Sequence, residues 1–359
     1  MTADTVGGVW TYAMDLCRAL RPAGSRVLLA TMGASASADQ RAEAAQIGNV
    51  ELVESAYRLE WMDDPWEDLS AAGAWLLDLE RRFQPEVIHL NNFAHGALPW
   101  SAPVVMVAHS CVLSWWEAVK GEPAPAAWSR YRAAVRCGLA AADLVVAPTH
   151  AMLQAVVKHY GPPQSSRVIA NSCSRARFAP AEKKPYIFSA GRFWDEAKNA
   201  PTLARAAGGL PWPTRFAGAC APCREVAADV EFLGHCAPAR MVELFGEASI
   251  FAHPARYEPF GLAALEAATS GCALVLGDLP SLREVWGDAA IFVDPENSVA
   301  LHRTLLRIIH NPAERGHLAY QARHRARRFT AARMLGGYLD AYALVVATAG
   351  QRRPLTRSA

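Results

Sequence analysis

Short, almost wholly apolar runs alternate with longer segments of helical periodicity through most of the chain. In the first half the runs are RVLLATM (26–32), VELV (50–53), EVIHL (86–90), PVVMVAH (103–109), DLVVAP (143–148) and RVIAN (167–171). In the second they are YIFSAGR (186–192), TRFAGA (214–219), VEFLGH (230–235), SIFAHP (249–254), CALVLGD (272–278) and AAIFVDP (289–295). Apolar strands separated by helices predict parallel sheets covered on both faces, hence doubly wound α/β domains. Two sets of strands predict two such domains, residues 1–180 and 181–330, with ARFAPAEKKP (176–185) as the linker. From Val299 to Ala347 the pattern is helical; residues 331–347 are expected to pack back on the first domain and 348–359 to form a frayed tail. Only MTADTV precedes Gly7-Gly8, whereas a glycine turn of this kind normally follows a full strand. Either the first strand is stunted or translation starts upstream, and the second reading is favoured.

Composition narrows the function classes. A chain of 359 residues exceeds what one core usually supports, and 52% hydrophobic with 19% charged residues describes a globular protein. A formal net charge of +2, without aromatics interleaved in a basic stripe, gives nucleic-acid binding no support. No apolar run approaches the length of a membrane span, and the first residues lack the basic-then-apolar pattern of a secretory signal. Eight cysteines without regular spacing suggest reduced thiols in a cytoplasmic enzyme.

The chemistry concentrates at YEPFGLAALEAATSG (257–271). Pro259 holds Glu258 extended at the end of the loop leaving a strand. Phe260-Gly261 permit a tight approach, and a run of helix formers follows, closed by Gly271. The N–H groups at 261–263 then read as unpaired helix-start donors suited to phosphate, with Glu266 one turn further on, within reach of ribose hydroxyls. Taken alone, two acids on a helix are a weak signal. YIFSAGRFWDEAKN adds Arg192 just after a strand and Lys198 before a helix capped by Asn199. Two cations at the same sheet edge make a diphosphate clamp. The bland alternative is a pair of solvated loop charges, with Lys198 paired to Asp195 or Glu196.

Together, GGVWTYAMDL, GRFWDEAKN, EPFGLAALE and SLREVWGDAAIFVDP, in this order, resemble the retaining GT-B glycosyltransferases of family 4 (glycosyl transferases group 1) from Gly7 to about Tyr342. The resemblance implies two Rossmann-like domains facing a central cleft, the first on the acceptor side and the second binding a nucleotide-sugar. It implies that Glu258 contacts the donor sugar, Glu266 the ribose, and Arg192 and Lys198 the diphosphate leaving group. Gly7 and Gly8 would approach the donor phosphate or the acceptor, Gly261 and Leu262 would offer backbone donors beside Phe260, and His109 would face the sugar. UDP is the donor nucleotide it makes most expected; the acceptor is a glycan, a lipid-linked saccharide or a small molecule. No cofactor or metal is expected, since no Asp-x-Asp pair is present and the two cations stand in its place.

Other constellations compete. CAPC (220–223), with His235 and Cys236 further on, has some look of a zinc site but lacks a second regular ligand pair. RHRARR (323–328) reads as a solvated helix face or as a peripheral dock for anionic lipid, placing the enzyme at the inner face of the membrane at most. Trp115 and Trp116 read as an acceptor wall or as core. His89, His95 and His253 lie near strand ends without a distinguishing signal. Rival functions are a sugar-nucleotide epimerase or phosphorylase of the same fold, which would need groups that cannot be picked out, and a non-catalytic donor-binding subunit. The Asn171-Ser172 pair, where many relatives have Asn-Gly, puts only a turn in doubt.

Overall fold

A computed structural model describes residues 1–219 and 230–352. Its strands are β1 (Thr2–Asp4), β2 (Val27–Met32), β3 (Val50–Glu54), β4 (Ile88–Leu90), β5 (Val104–Val107), β6 (Leu144–Ala147), β7 (Ser166–Val168), β8 (Lys184–Ala190), β9 (Thr214–Ala217), β10 (Val230–Gly234), β11 (Ala248–His253), β12 (Ala273–Gly277) and β13 (Ile291–Val293). Neighbouring strands pair in parallel, with helices between them. The chain divides into two units: Met1–Ser114, Pro123–Ala170 and the segment from Ala331 form the first, and Trp115–Glu122 with Asn171–Thr330 the second.

The boundary therefore falls after Ala170, not at residue 180. The stretch read as a linker is built into the second unit: Cys173 N–H donates to Phe329 O, Ala181 N–H donates to Gly246 O, and the Phe178 ring meets Phe245 edge-on at 5.7 Å. The long helical stretch is three helices, Ser298–His310, Pro312–Ala326 and Ala331–Arg352. Asn311 breaks it by capping Glu314 N–H, with Pro312 opening the next helix. The last helix lies in the first unit, where Met334, Tyr338, Ala341 and Val345 share a core with Trp10, Met14 and Leu16. The end of the expected tail, residues 353–359, lies outside the described residues.

In the first unit the strands run β1-β2-β3 and β4-β5-β6-β7. β1 has three residues, and side chains join it to β4. Asn91 N–H donates to Thr2 Oγ1 (2.9 Å), Asn91 Nδ2 to Thr2 O (2.7 Å), and Thr2 Oγ1 to Asn92 Oδ1 (3.0 Å). Strand order reverses across this seam, which makes it the switch point where doubly wound units bind ligands.

The second unit has one sheet, ordered β10-β9-β8-β11-β12-β13, with its switch point between β8 and β11. All residues of β11 and β12 are buried, as parallel central strands require. In register, Ile187 lies opposite Ile250 and Phe188 opposite Phe251. One face packs Ile187, Ile250 and Val275 on Leu203, Leu301, Leu305 and Ile308; Phe188 meets Phe245 edge-on at 5.0 Å.

Because Thr2 satisfies a buried backbone donor and a buried amide oxygen, Thr2→Val should destabilise the first unit by about 1–3 kcal/mol. Thr2→Ser, which keeps the hydroxyl, should lose less. Thermal unfolding of the two variants checks the order, and equal midpoints would remove the hydroxyl from the account of the seam.

Candidate active site

At the switch point of the second unit, β8 runs into Gly191-Arg192 and a short turn at Glu196–Lys198, while β11 runs into residues 254–261 and the helix Leu262–Thr269. The two loops meet in an ion pair. Lys198 Nζ lies 2.6 Å from Glu258 Oε2, with side chains only 16% and 15% exposed. Glu258 Oε1 accepts from Gly261 N–H at 3.2 Å, and Glu258 O accepts from Ser281 Oγ at 2.5 Å. Beneath them, His253 Nε2 is 3.6 Å from Glu258 Oε2 and His253 Nδ1 is 3.2 Å from Ser189 Oγ. A carboxylate only accepts, so the proton belongs on Nε2 and Ser189 donates to Nδ1. Burial opposes ionisation of Glu258, but Lys198 and His253 outweigh it and hold the carboxyl well below the usual range. Burial likewise lowers His253, against the raising effect of Glu258, so the imidazole is neutral.

Gly261 caps the helix at φ 88°, a left-handed conformation, and a Cβ there would stand 3.1 Å from Leu282 Cδ2. Its N–H is not the unpaired donor read from the sequence, because Glu258 takes it. The helix has neither a side-chain cap nor an acid in its first turn, which leaves Leu262 at an N-terminus suited to an anion. Phe260 is buried with its ring edge-on to Phe329 at 5.6 Å, so it supports the turn from below and does not offer its ring to a ligand. Glu266, half-buried, stands one turn into the helix.

The Arg192 loop is braced from an unexpected quarter. Asp195 Oδ1 accepts from Ala197 N–H (3.0 Å) and from Trp115 Nε1 (2.9 Å), and Arg192 Nη2 lies 3.7 Å from Asp195 Oδ2 with its guanidinium 5.4 Å from the Trp194 ring centre. Lys120 Nζ pairs with Glu196 at 2.7 Å. Trp115 thus belongs with the second unit, where it holds the cation loop; Trp116 meets it edge-on at 6.0 Å. Asn199 does not cap the next helix with its side chain. Fully buried at φ 53°, it donates Nδ2 to Pro254 O (2.9 Å) and Pro295 O (2.7 Å), tying the loops after β8, β11 and β13.

In the first unit Gly7, at φ 92°, precedes the helix Gly8–Leu20, which has no side-chain cap and no acid in its first turn; both glycines are exposed. His109, after β5, places Nε2 2.8 Å from Asn91 Oδ1. Asn91 Nδ2 is committed to Thr2 O, so Oδ1 faces the imidazole and must accept from Nε2–H. Burial pushes His109 down to about 3, and Tyr12 stands edge-on at 4.5 Å. His109 is therefore neutral, with Nδ1 an acceptor. His89 lies between Tyr12 OH (3.2 Å) and Tyr342 OH (2.7 Å) and is a core residue. His95 is too, held by Asn92 and Leu69 O.

Cys220 and Cys223 lie outside the described residues, and among the described residues no three His, Cys, Asp or Glu side chains converge as a metal site. Among them also, no helix is long and apolar enough to cross a membrane. Arg325 of RHRARR is not on a solvated face: it donates to Val285 O and Glu284 O.

Two doubly wound units, one with a lysine–carboxylate pair beside an uncapped helix N-terminus at its switch point, define an α/β enzyme of nucleotide-binding type. Residues 6–177 match Glycosyltransferase Family 4 and residues 173–325 match Glycosyl transferases group 1; the chain belongs to these family 4, group 1 glycosyltransferases and transfers sugar from a nucleotide-sugar donor. D-inositol 3-phosphate glycosyltransferase of Xylanimonas cellulosilytica is 26% identical over 97% of this chain and 93% of its own. That of Rhodococcus opacus is 25% identical over 94% of this chain and 85% of its own. Sucrose-phosphate synthase from Thermosynechococcus elongatus superposes with a TM-score of 0.79 at 18% identity, covering 97% of this chain and 96% of that one. HepE of Anabaena, in complex with UDP-glucose, gives 0.76 at 17%, covering 96% and 98%. The fold is GT-B.

The Asn91 geometry makes a direct prediction. Asn91→Asp puts a carboxylate against His109 Nε2, favours the protonated ring, and should raise its pKa from about 3 toward the ordinary value of about 6.5. Imidazole NMR signals should then titrate as pH falls from 8 to 5 in Asn91→Asp and stay flat in Asn91→Ala. Flat signals in both would contradict the contact.

Proposed function

We propose that this transfer is retaining and metal-independent, with a UDP-sugar as donor. The observation that carries the reading is the Lys198–Glu258 pair beside Arg192 at one switch point. As the bond from the anomeric carbon to the diphosphate oxygen breaks, positive charge grows on the sugar and negative charge on the diphosphate. Arg192 and Lys198 act on that negative charge, which is where fixed cations are most effective. Lys198 has three N–H donors and gives one to Glu258, so others remain for phosphate oxygens. Glu258, kept ionised, accepts from sugar hydroxyls, Glu266 accepts from the ribose, and the neutral His109 offers Nδ1 to a further sugar hydroxyl. Gly7, Gly8 and Leu262 supply backbone contacts to donor or acceptor. The acceptor oxygen bonds to the anomeric carbon on the face the diphosphate leaves, and its proton passes to the departing phosphate oxygen. No protein carboxylate is needed as a covalent nucleophile, and no metal is needed to neutralise the diphosphate.

UDP as the nucleotide is supported by HepE, a fold relative held in complex with UDP-glucose. The acceptor class is a glycan, a lipid-linked saccharide or a small molecule. The proposal extends to a cytoplasmic location with at most peripheral membrane contact, in keeping with Cys17, Cys111, Cys137, Cys173, Cys236 and Cys272 standing outside any disulfide.

A panel of sugar nucleotides should raise the melting temperature with UDP-sugars foremost, and the anomeric configuration of the product, read by NMR, should match that of the donor. Inversion would sink the retaining mechanism, and activity abolished by EDTA and restored by manganese would sink metal independence. Lys198→Ala should lower kcat about tenfold to a hundredfold, with kcat/KM falling alongside, as expected for an interaction made mainly in the transition state. A raised KM with kcat intact would reduce Lys198 to donor binding.

A further inference from the structure

The second unit carries a basic pocket that the transfer reaction does not use. Arg175, Ala176, Phe178, Ala179, Thr269, Arg323, Ala326 and Arg327 enclose about 210 Å³. Arg175 comes from the loop after β7, Arg323 and Arg327 from the end of the helix Pro312–Ala326, and Thr269 ends the helix whose other end forms the donor site. Among the described residues none of these three guanidinium groups has a carboxylate partner, whereas Arg18, Arg41, Arg215, Arg256 and Arg283 each have one. The C-termini of two helices line the pocket, and each contributes about half a negative charge. Together these offset only about one of three full positive charges, so helix complementation does not account for the cluster. Thr269 Oγ1 commits its proton to Leu265 O, which leaves recognition to the guanidinium forks.

We propose that this pocket binds a phosphoryl group. Guanidinium forks match phosphate oxygens in pairs, and the absence of a carboxylate acceptor selects against sugars and cations. The volume is below the roughly 300 Å³ at which pockets begin to take drug-sized ligands, so it suits a single phosphate or diphosphate and not a whole sugar nucleotide. The phosphoryl group comes from a phosphorylated solute or from a lipid headgroup. The inference stands independently of the donor-site reading.

Calorimetry with inorganic phosphate on the full-length protein tests it. Wild type should bind saturably, and Arg323→Gln/Arg327→Gln should bind at least tenfold more weakly while its UDP affinity stays unchanged. Arg175→Gln, on the loop after β7, provides a second variant should the first fold poorly. Lys198→Ala should bind phosphate at this site like wild type. Sedimentation with vesicles of one part phosphatidylglycerol to three of phosphatidylcholine separates the sources. Vesicle binding lost in the arginine variants marks a headgroup, and phosphate binding without sedimentation marks a solute. Equal behaviour of wild type and both arginine variants toward phosphate and vesicles overturns the proposal. So does phosphate binding that disappears with Lys198→Ala alone, since the ion would then sit in the donor site.

Discussion

The contact between Lys198 and Glu258 fixes the second unit's site, because it joins two loops that are sixty residues apart in sequence and side by side in the sheet. An ion pair with both partners mostly buried is poor evidence of net stability, since desolvation offsets the attraction. Removing one partner is another matter: it strands a charge, typically at about 3–5 kcal/mol. The pair therefore sets where the loops can be more than how stable they are. Asn199 repeats the constraint from beneath. Its backbone is left-handed, and its Nδ2 donates to both Pro254 O and Pro295 O, so one buried side chain ties three loops. With both ties in place, Glu258 can hold Gly261 N–H and start the helix Leu262–Thr269 at a defined point.

Much of this was legible in the chain because parallel sheets leave a plain signature. SIFAHP and CALVLGD are apolar without alternation, and as β11 and β12 they are buried throughout. Once those strands are placed, residues just after them fall at one sheet edge, which is why Arg192, Lys198 and Glu258 could be grouped without coordinates. That few residues precede Gly7-Gly8 also showed in the sequence, but the bonds that join β1 to β4 did not. Nothing in MTADT signals that Thr2 will bond sideways to Asn91 and Asn92.

What stayed hidden shares one physical cause: the partner is chosen by tertiary packing and not by spacing. Trp115 and Asp195 are eighty residues apart, and neither carries a local pattern that names the other. His253 had the same sequence standing as His89 and His95, yet one stands under a carboxylate and the other two are buried in core networks. Asn91 escaped notice because its role runs through another side chain. The linker reading of 176–185 failed for a related reason: proline and lysine mark an exposed loop as often as a hinge, and here Phe178 anchors the loop against Phe245.

Formal charge around Lys198 and Glu258 does not by itself favour a diphosphate. Arg192 and Lys198 are set against Asp195, Glu258 and Glu266, so carboxylates outnumber cations. The lone pairs of Glu258 and Asp195, however, are turned inward: Glu258 accepts from Lys198 and Gly261 N–H, and Asp195 accepts from Ala197 N–H and Trp115. What remains for a ligand is a guanidinium, the spare Nζ donors, a helix N-terminus, and carboxylate oxygens that can only accept. Such a mixture penalises a bare polyanion and rewards a diphosphate flanked by hydroxyls on both sides, which is the description of a sugar nucleotide. The arginine pocket at the far end of the same helix is its counterpart, with cations and no acids. The same unit thus presents two anion environments whose selectivity differs in one respect, the presence or absence of acceptors for hydroxyl groups.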